Sequence, residues 1–211
     1  MVEDALPVID LADLGPGRPR ADATVHGIVL AAGASERYGD RNKLLVNRED
    51  EPIVRRAARP LLEADLDGVT VVLGHEAGRV RAALAGLPVS FRTNDRYREG
   101  QGTSVAAGVA TARERDADAV LIALGDMPDV SAVAIARLLD AYRAEAGSAL
   151  AAAFEGQRGN PVIFDRRHFE VLAELEGDRG GREILLSADE AAIVETADPG
   201  VLRDVDRPDD R

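Results

Sequence analysis

The sequence contains no cysteine and no tryptophan, and only three tyrosines and four phenylalanines among its 211 residues. Without cysteine, the chain can form neither a disulfide nor a thiolate metal site, and it has no cysteine nucleophile. No apolar run approaches the ~18 residues that cross a bilayer, and the start lacks the basic-then-apolar profile of a secretion signal. We therefore expect a soluble cytoplasmic protein that does not associate with membranes.

Positive charge is also scarce, because 26 basic residues face 38 acidic ones, for a formal net charge of −12. A surface of this sign repels nucleic acids and anionic lipids, so neither is an expected partner. Lys43 is the single lysine of the chain. Two alternative explanations for the scarcity of lysine are adaptation to a high-salt (halophilic) cytoplasm and GC-rich codon usage. An unfolding series in molar KCl distinguishes them, because only the first predicts a gain in stability with salt.

The chain is long enough for one domain, and its apolar content of 45% is sufficient for a sizeable core. Residues 1–24 include a turn-rich linker, so we expect an N-terminal extension followed by one domain over residues 25–211. Beyond residue 24, short aliphatic runs alternate with stretches of helical periodicity. This alternation predicts an α/β fold with a mostly parallel sheet that helices cover on both faces.

The predicted strands are 26–31, 69–73, 89–92, 119–124, 149–154, 161–164 and 192–195, and the predicted helices are 53–64, 77–84, 104–115, 132–146, 166–174 and 183–187. Pro60 lies inside the first of these helices, where the ring removes a hydrogen-bond donor, and it should kink or shorten the helix.

A loop of small residues follows the first predicted strand, with the sequence Leu30-Ala31-Ala32-Gly33-Ala34-Ser35-Glu36-Arg37. Such a loop lets backbone N–H groups approach an anion closely, and Arg37 and Lys43 could neutralise it. The loop lacks the G-x-G pair of a dinucleotide fingerprint and the hydroxyl residue after the lysine of a Walker A loop. An ordinary βα turn with surface arginines remains the alternative interpretation.

Two carboxylates are candidate metal ligands. Asp126 comes two residues after a buried strand, in Leu124-Gly125-Asp126-Met127-Pro128, and a carboxylate on a rigid strand end suits Mg²⁺. Its alternative role as a helix N-cap is better filled by Ser131 or Asp129. Asp206 belongs to an acidic segment at the end of the chain, whose alternative interpretation is a solvated tail.

A third polar segment follows the strand predicted at 89–92. Asn94 is followed by Gly100-Gln101-Gly102-Thr103-Ser104, which opens a helix and could present N–H groups to a ligand. Capping of that helix by Thr103 or Ser104 is the alternative, and it is compatible with ligand contact.

Several of these motifs resemble those of the nucleotidyltransferases that attach a nucleotide to molybdopterin, and most closely the molybdenum cofactor cytidylyltransferases. The similar stretches are A-A-G-x-S-x-R-x-G before Lys-Leu-Leu, Leu-Gly-Asp-Met-Pro and the closing D-V-D-R-P-x-D. The chain departs from the family in having three residues between Gly39 and Lys43, where two are common. The resemblance spans about residues 25–210.

The resemblance implies a three-layer αβα, Rossmann-like fold of the GT-A type with a mixed, mostly parallel sheet. It also implies Mg²⁺ as cofactor, with Asp126 and Asp206 as its ligands, and a triphosphate held by Arg37 and Lys43. The nucleotide-binding residues that it implies are Leu30, Ala31, Ala32, Gly33, Ser35, Asn94, Gly102 and Ser104. The segments 159–164 and 177–182 also resemble family elements, and the second could receive an anionic acceptor.

The implied reaction is transfer of a nucleoside monophosphate from an NTP to the phosphate of molybdopterin, with release of pyrophosphate. CTP is favoured over GTP, because guanylyl enzymes carry a glycine where this chain has Ala32, and the methyl group narrows the pocket. The alternatives are the same chemistry with GTP or with a sugar or alcohol phosphate, and a non-catalytic nucleotide-binding chaperone of a molybdoenzyme. The resemblance also implies a molybdoenzyme as a protein partner.

Overall fold

The computed structural model describes residues 6–15, 19–34, 38, 41–178 and 180–206. Its centre is an eight-stranded sheet that includes β2 (Val25–Ala31), a strand of seven mostly buried residues. The other strands of this sheet are β1 (Val8–Ile9), β5 (Gly68–Leu73), β6 (Ser90–Thr93), β7 (Ala119–Leu124), β8 (Ala149–Phe154), β9 (Gln157–Asp165) and β10 (Ala191–Glu195). A separate antiparallel pair is formed by β3 (Asn47–Arg48) and β4 (Glu51–Pro52).

The strands of the large sheet lie in the order β1-β10-β8-β9-β7-β2-β5-β6, and all neighbours are parallel except those of β9. Because β2 has β5 on one side and β7 on the other, consecutive parallel strands are wound in opposite directions from it. In such sheets ligands bind beyond the carboxyl ends of the strands at the point where the winding reverses. The topology therefore directs attention to the carboxyl end of β2.

Helices cover both faces of the sheet. They are α1 (Ile53–Glu63), α2 (Ala77–Ala83), α3 (Gln101–Glu114), α4 (Ala132–Arg143), α5 (Phe169–Ala173) and α6 (Arg182–Ser187). Alternate residues of β2 enter two different cores, since Val29 packs with apolar residues of α1 and α4, whereas Ile28 packs with those of α3 and α5. This three-layer α/β arrangement with a mixed, mostly parallel sheet confirms the predicted fold class.

One strand runs against the rest of the sheet. A two-residue turn at Glu155 and Gly156, both with positive φ, reverses the chain after β8, so that β9 inserts antiparallel between β7 and β8. The nine residues of β9 extend well beyond the predicted 161–164. As a consequence, the first residues of β9 lie near the carboxyl ends of its two neighbours.

Two features of the elements differ from simple expectations. Residues before Val25 contribute β1, which pairs in parallel with β10 at the edge of the sheet. Helix α1 continues through Pro60 and ends at Glu63, one residue before the predicted boundary, so the proline does not end the helix at its own position. No helix within the described residues has the length and hydropathy needed to cross a membrane.

Candidate nucleotide and metal site

The carboxyl ends of β2 and β7 and the start of α3 open onto one cleft of about 780 Å³. The hydrogen bond from the Gly125 N–H to the Leu30 carbonyl, at 2.9 Å, holds the first two strand ends side by side. The cleft is lined by Leu30, Ala32, Gly33, Ala34, Lys43, Leu44, His75, Tyr97, Arg98, Gly100, Gln101, Ser104, Leu124, Asp126 and Asp178. Residues distant in sequence therefore share one solvent-filled space.

Asp126, which lines the cleft, belongs to a cluster of three carboxylates. Asp126, Asp204 and Asp206 each place an oxygen within 4.8 Å of the others. Val205 fixes this arrangement, because its N–H donates a 2.9 Å hydrogen bond to the Asp126 carbonyl and its side chain is buried beside Tyr38. The two aspartates that flank Val205 are thereby held next to the end of β7. Asp204 did not enter the predicted metal-ligand set, although the alternation of Asp204, Val205 and Asp206 is the signal that could have indicated it.

The ammonium of Lys43 lies against this cluster. Its Nζ is 2.6 Å from Oδ2 of Asp126 and 3.1 Å from Oδ1 of Asp206. Burial alone would lower the pKa of Lys43, but the two carboxylates outweigh it and hold that pKa above its ordinary value. Lys43 is therefore charged at neutral pH.

Lys43 contacts Asp126 and Asp206, and the third carboxylate, Asp204, is repelled by the charges of these two aspartates. Burial, followed by the negative charges of Asp206 and Asp126, raises the pKa of Asp204 above its ordinary value. A set of three carboxylate oxygens matches what a hard divalent cation such as Mg²⁺ or Mn²⁺ prefers, and such a cation would relieve this repulsion. The chemistry of the donor set thus fits a divalent metal.

The glycine-rich loop contributes Ala32 and Gly33 to the cleft, and Leu30 lies at its base. Ala31 faces the opposite way and is buried in the core. Ser35 and Arg37, together with Gly39, lie outside the described residues, so the structure does not place them.

The polar segment at α3 is arranged in two layers. Ser104 lines the cleft, whereas Asn94 is buried behind it and donates hydrogen bonds to the hydroxyls of Thr103 and Ser104, at 2.9 and 3.0 Å. Gly102 is also buried, and its N–H donates to the Gly177 carbonyl at 2.9 Å. Asn94 and Gly102 therefore support the wall of the cleft from behind. The N-cap of α3 is Gly100 with no side-chain cap, so neither Thr103 nor Ser104 caps the helix.

Sequence reasoning missed three other residues of the cleft lining, His75, Tyr97 and Arg98. The last two immediately precede a close approach of two loops. Gly100 has a φ of 114°, and a Cβ there would lie 2.1 Å from the backbone of Gly177. The sequence carries only the two glycines as a signal, and glycine alone does not indicate which loops meet.

A second, smaller pocket of about 180 Å³ adjoins the cleft and shares Leu30, Gln101 and Leu124 with it. Its walls are mostly apolar, but Arg158 and Arg182 also line it. Burial and then the charge of Arg182 lower the pKa of Arg158, and within the described residues no carboxylate pairs with either guanidinium. Two facing cations in an otherwise acidic protein indicate an anion-binding pocket.

Comparison with known proteins is consistent with this geometry. Residues 27–192 match the model of the MobA-like NTP transferase domain. The purine catabolism protein PucB of Bacillus subtilis is 32% identical over 196 residues, covering 87% of this chain and 92% of PucB. The nicotine blue oxidoreductase of Paenarthrobacter nicotinovorans is 32% identical over 169 residues, covering 76% of this chain and 81% of that protein.

Solved structures show the same relationship. Rv0371c from Mycobacterium tuberculosis superposes with a TM-score of 0.79 at 28% identity, over 89% of this chain and 95% of that one. Another structure of Rv0371c, a complex with manganese, superposes with a TM-score of 0.70 at the same identity, over 89% of this chain and 96% of that one. These findings confirm the family resemblance inferred from the motifs: the chain belongs to the MobA-like NTP transferases, a family of nucleotidyltransferases.

Proposed function

We propose that the protein transfers CMP from CTP to the phosphate of molybdopterin and releases pyrophosphate. The observation that carries the proposal is the cleft of about 780 Å³, in which Lys43 and Asp126, the latter clustered with Asp204 and Asp206, share one lining with the glycine-containing loop. A metal-bound triphosphate requires anion-binding and cation-binding groups that share one cleft.

The reaction needs alignment and charge neutralisation more than proton transfer. An oxygen of the acceptor phosphate attacks the α-phosphorus, a new P–O bond forms, and the bond to the bridging oxygen breaks as pyrophosphate leaves with its electron pair. The attacking phosphomonoester is already anionic at neutral pH, so no general base is required. Catalysis then depends on positioning the two reactants and on stabilising the charge that develops between them.

Each part of the cleft has a place in this scheme. Asp126, Asp206 and Asp204 would hold a divalent cation, Mg²⁺ in our proposal, whose positive charge would make the α-phosphorus a better electrophile. Lys43 and Arg37 would neutralise the β- and γ-phosphates, and the backbone at Gly33 would lie along them.

Leu30, Ala32 and Ser104 line the cleft and would contact the base and ribose. The buried Asn94 donates a hydrogen bond to Ser104 from behind, and the buried Gly102 is held by the Gly177 carbonyl. Ala32 lines the cleft, and its methyl group would leave less space beside the loop than a glycine at the same position. A pyrimidine needs less space than a purine, which supports CTP over GTP.

The adjoining pocket supports an acceptor that combines an anionic group with an apolar, planar body. Arg158 and Arg182 provide the positive charge, and Ile122, Val162, Phe164 and Leu185 provide apolar walls. Sugar hydroxyls are usually met by several polar side chains, whereas the uncharged polar side chains in this lining are those of Gln101 and Asn160, beside five or more apolar residues. This composition favours a heterocyclic phosphate such as molybdopterin over a sugar phosphate.

A pyrophosphate-release assay with each of the four NTPs, with and without molybdopterin, tests the proposal. We expect release with CTP that depends on both molybdopterin and a divalent metal. Release with GTP, or with a sugar phosphate in place of molybdopterin, would show that the proposed nucleotide or the proposed acceptor is wrong. Nucleotide binding without turnover under every condition would instead support the non-catalytic alternative and contradict the proposal.

A further inference from the structure

The ammonium of Lys43 lies where a metal bound by the carboxylate cluster would lie. It contacts Asp126 at 2.6 Å and Asp206 at 3.1 Å, two of the three carboxylates whose oxygens lie within 4.8 Å of one another. These distances are those of a direct ion pair, so a second cation on the same oxygens would lie within a few ångströms of a like charge and be repelled by it. The ammonium and a divalent ion therefore compete for one position.

The backbone beneath Lys43 is fixed, whereas its side chain can rotate. Asn42, buried at 5% exposure, accepts a 3.1 Å hydrogen bond from the Leu44 N–H and caps the short 3₁₀ helix Lys43–Leu45. Leu44 is itself part of the core. A lysine has a flexible four-carbon stem, so the ammonium can leave the carboxylates without any movement of the loop.

A second position for the ammonium lies in the same cleft. Gly33 and Ala34 line the side of the cleft where the proposed triphosphate would lie, and Lys43 lines the cleft with them. From a fixed Cα, the side chain can turn from the carboxylates toward anionic oxygens at that side. The triphosphate would thus provide the charge partner that Lys43 loses when it leaves Asp126 and Asp206.

We propose that Lys43 is an exchangeable cation of this site: it neutralises the carboxylate cluster in the free protein, a divalent metal displaces it, and it then binds the triphosphate. This inference rests on the proposed nucleotide-binding function. It predicts that metal and nucleotide bind with positive coupling, because the metal alone must displace Lys43 into solvent, whereas with nucleotide present the displaced ammonium gains a partner.

Lys43 can be observed directly because the chain has one lysine, so selective ¹³C-lysine labelling gives a one-residue NMR spectrum of the unaltered protein. We expect the signal of the ε-methylene group to shift when Mg²⁺ is added without nucleotide, and to shift to a different position when CTP is then added. A signal that Mg²⁺ leaves unchanged at saturation would overturn the proposal.

The variant Lys43→Met tests the competition from the other side. Removing the ammonium should tighten nucleotide-free binding of Mn²⁺, measured by electron paramagnetic resonance, by ~10-fold or more, since a competing charge within 4 Å is lost. The same variant should bind CTP more weakly than the unaltered protein in the presence of Mn²⁺. Unchanged or weaker Mn²⁺ binding without nucleotide would contradict the exchange.

Arg48→Met is the matched control, because Arg48 pairs with Asp129 at 2.9 Å with similar exposure but outside the carboxylate cluster. It should alter neither affinity. The NMR titration and the binding measurements do not depend on turnover. If Lys43 responds to metal but no NTP releases pyrophosphate, the transferase proposal fails alone. If pyrophosphate is released but Lys43 does not respond, the exchange fails alone.

Discussion

Arg158 is a residue whose charge the fold leaves without compensation. Within the described residues its guanidinium faces Arg182 and no carboxylate, and burial with that neighbouring charge lowers its pKa. An arginine held this way contributes little to folding, but it is prepared for an anionic ligand. The acceptor phosphate is the ligand that our account assigns to it.

For Arg158→Met we expect the KM of the phosphorylated acceptor to rise ~10- to 100-fold, as loss of a charge-assisted hydrogen bond implies. The KM of CTP should stay nearly unchanged, and the melting temperature should not fall, because repulsion with Arg182 is relieved. Steady-state kinetics and thermal unfolding measure the three quantities. A lower melting temperature with an unchanged acceptor KM would show that the residue is structural.

His26 gives the fold a pH dependence that is separate from the site. The imidazole is 2% exposed and lies 2.8 Å from the Thr70 hydroxyl, and burial with the nearby charge of Arg115 lowers its pKa from 6.5 to about 4. His26 therefore becomes protonated near pH 6.5 in the unfolded chain but only near pH 4 in the folded protein. Stability from this group is complete above pH 6.5 and is lost as the pH falls through that interval.

We expect the free energy of unfolding to fall by ~2 kcal/mol between pH 7 and pH 5 because of this residue alone. His26→Gln removes the titration and keeps the other ionisable groups, so the advantage of the unaltered protein over the variant should shrink by that amount. Denaturant unfolding at the two pH values measures it. A constant difference between the two proteins would contradict the assignment.

At the scale of elements, the contact between α3 and the sheet is close. A Cβ on Gly108 would lie 2.7 Å from Cγ2 of Ile28, which is fully buried in β2. Gly108→Ala should therefore destabilise the protein by a net ~1 kcal/mol, because overpacking of 1–3 kcal/mol exceeds the gain in helix propensity. Gly78→Ala in α2 is the control, since nothing lies within 4 Å of its Cβ position, and it should be neutral or stabilising. Equal effects would contradict the packing.

The N-terminal strand can be tested in the same way. In β1, Ile9 packs against the core, whereas Val8 is 56% exposed. Ile9→Asp should lower the free energy of unfolding by ~2 kcal/mol, since it places a charge against apolar side chains, and Val8→Asp should change it by less than ~0.5 kcal/mol. Chemical denaturation compares the two variants. Equal, small effects would indicate that β1 is not docked in solution.

The elements also show which parts of the fold a sequence can predict. The strands β7 and β8 were predicted to the residue, because each is a continuous apolar run bounded by polar residues. The antiparallel insertion of β9 and the pairing of β1 with β10 were not predicted. Both depend on contacts between segments far apart in the chain, and the two residues of β1 are too few to show a periodicity.

At the scale of the whole molecule, the site is assembled from segments that span most of the chain. Asp126 was predictable because it follows a buried strand, and strand ends are where α/β proteins bind ligands. Asp204 and Arg158 could not be located in this way, since they reach the site only through the Val205 hydrogen bond to Asp126 and through the reversed direction of β9. A site residue at a strand end, such as Asp126, can be predicted from local sequence, whereas Asp204 and Arg158 can be located only once the topology is known.

The account as a whole depends on Asp126 acting through a metal in this cleft. The most direct test is the rate of metal-dependent pyrophosphate release by Asp126→Asn, with Asp129→Asn as a control in the same loop, where the carboxylate pairs with Arg48 instead. We expect Asp126→Asn to lose ~10³-fold or more of the activity while its melting temperature is preserved, and Asp129→Asn to stay within about threefold. Near-normal turnover by Asp126→Asn would contradict the account.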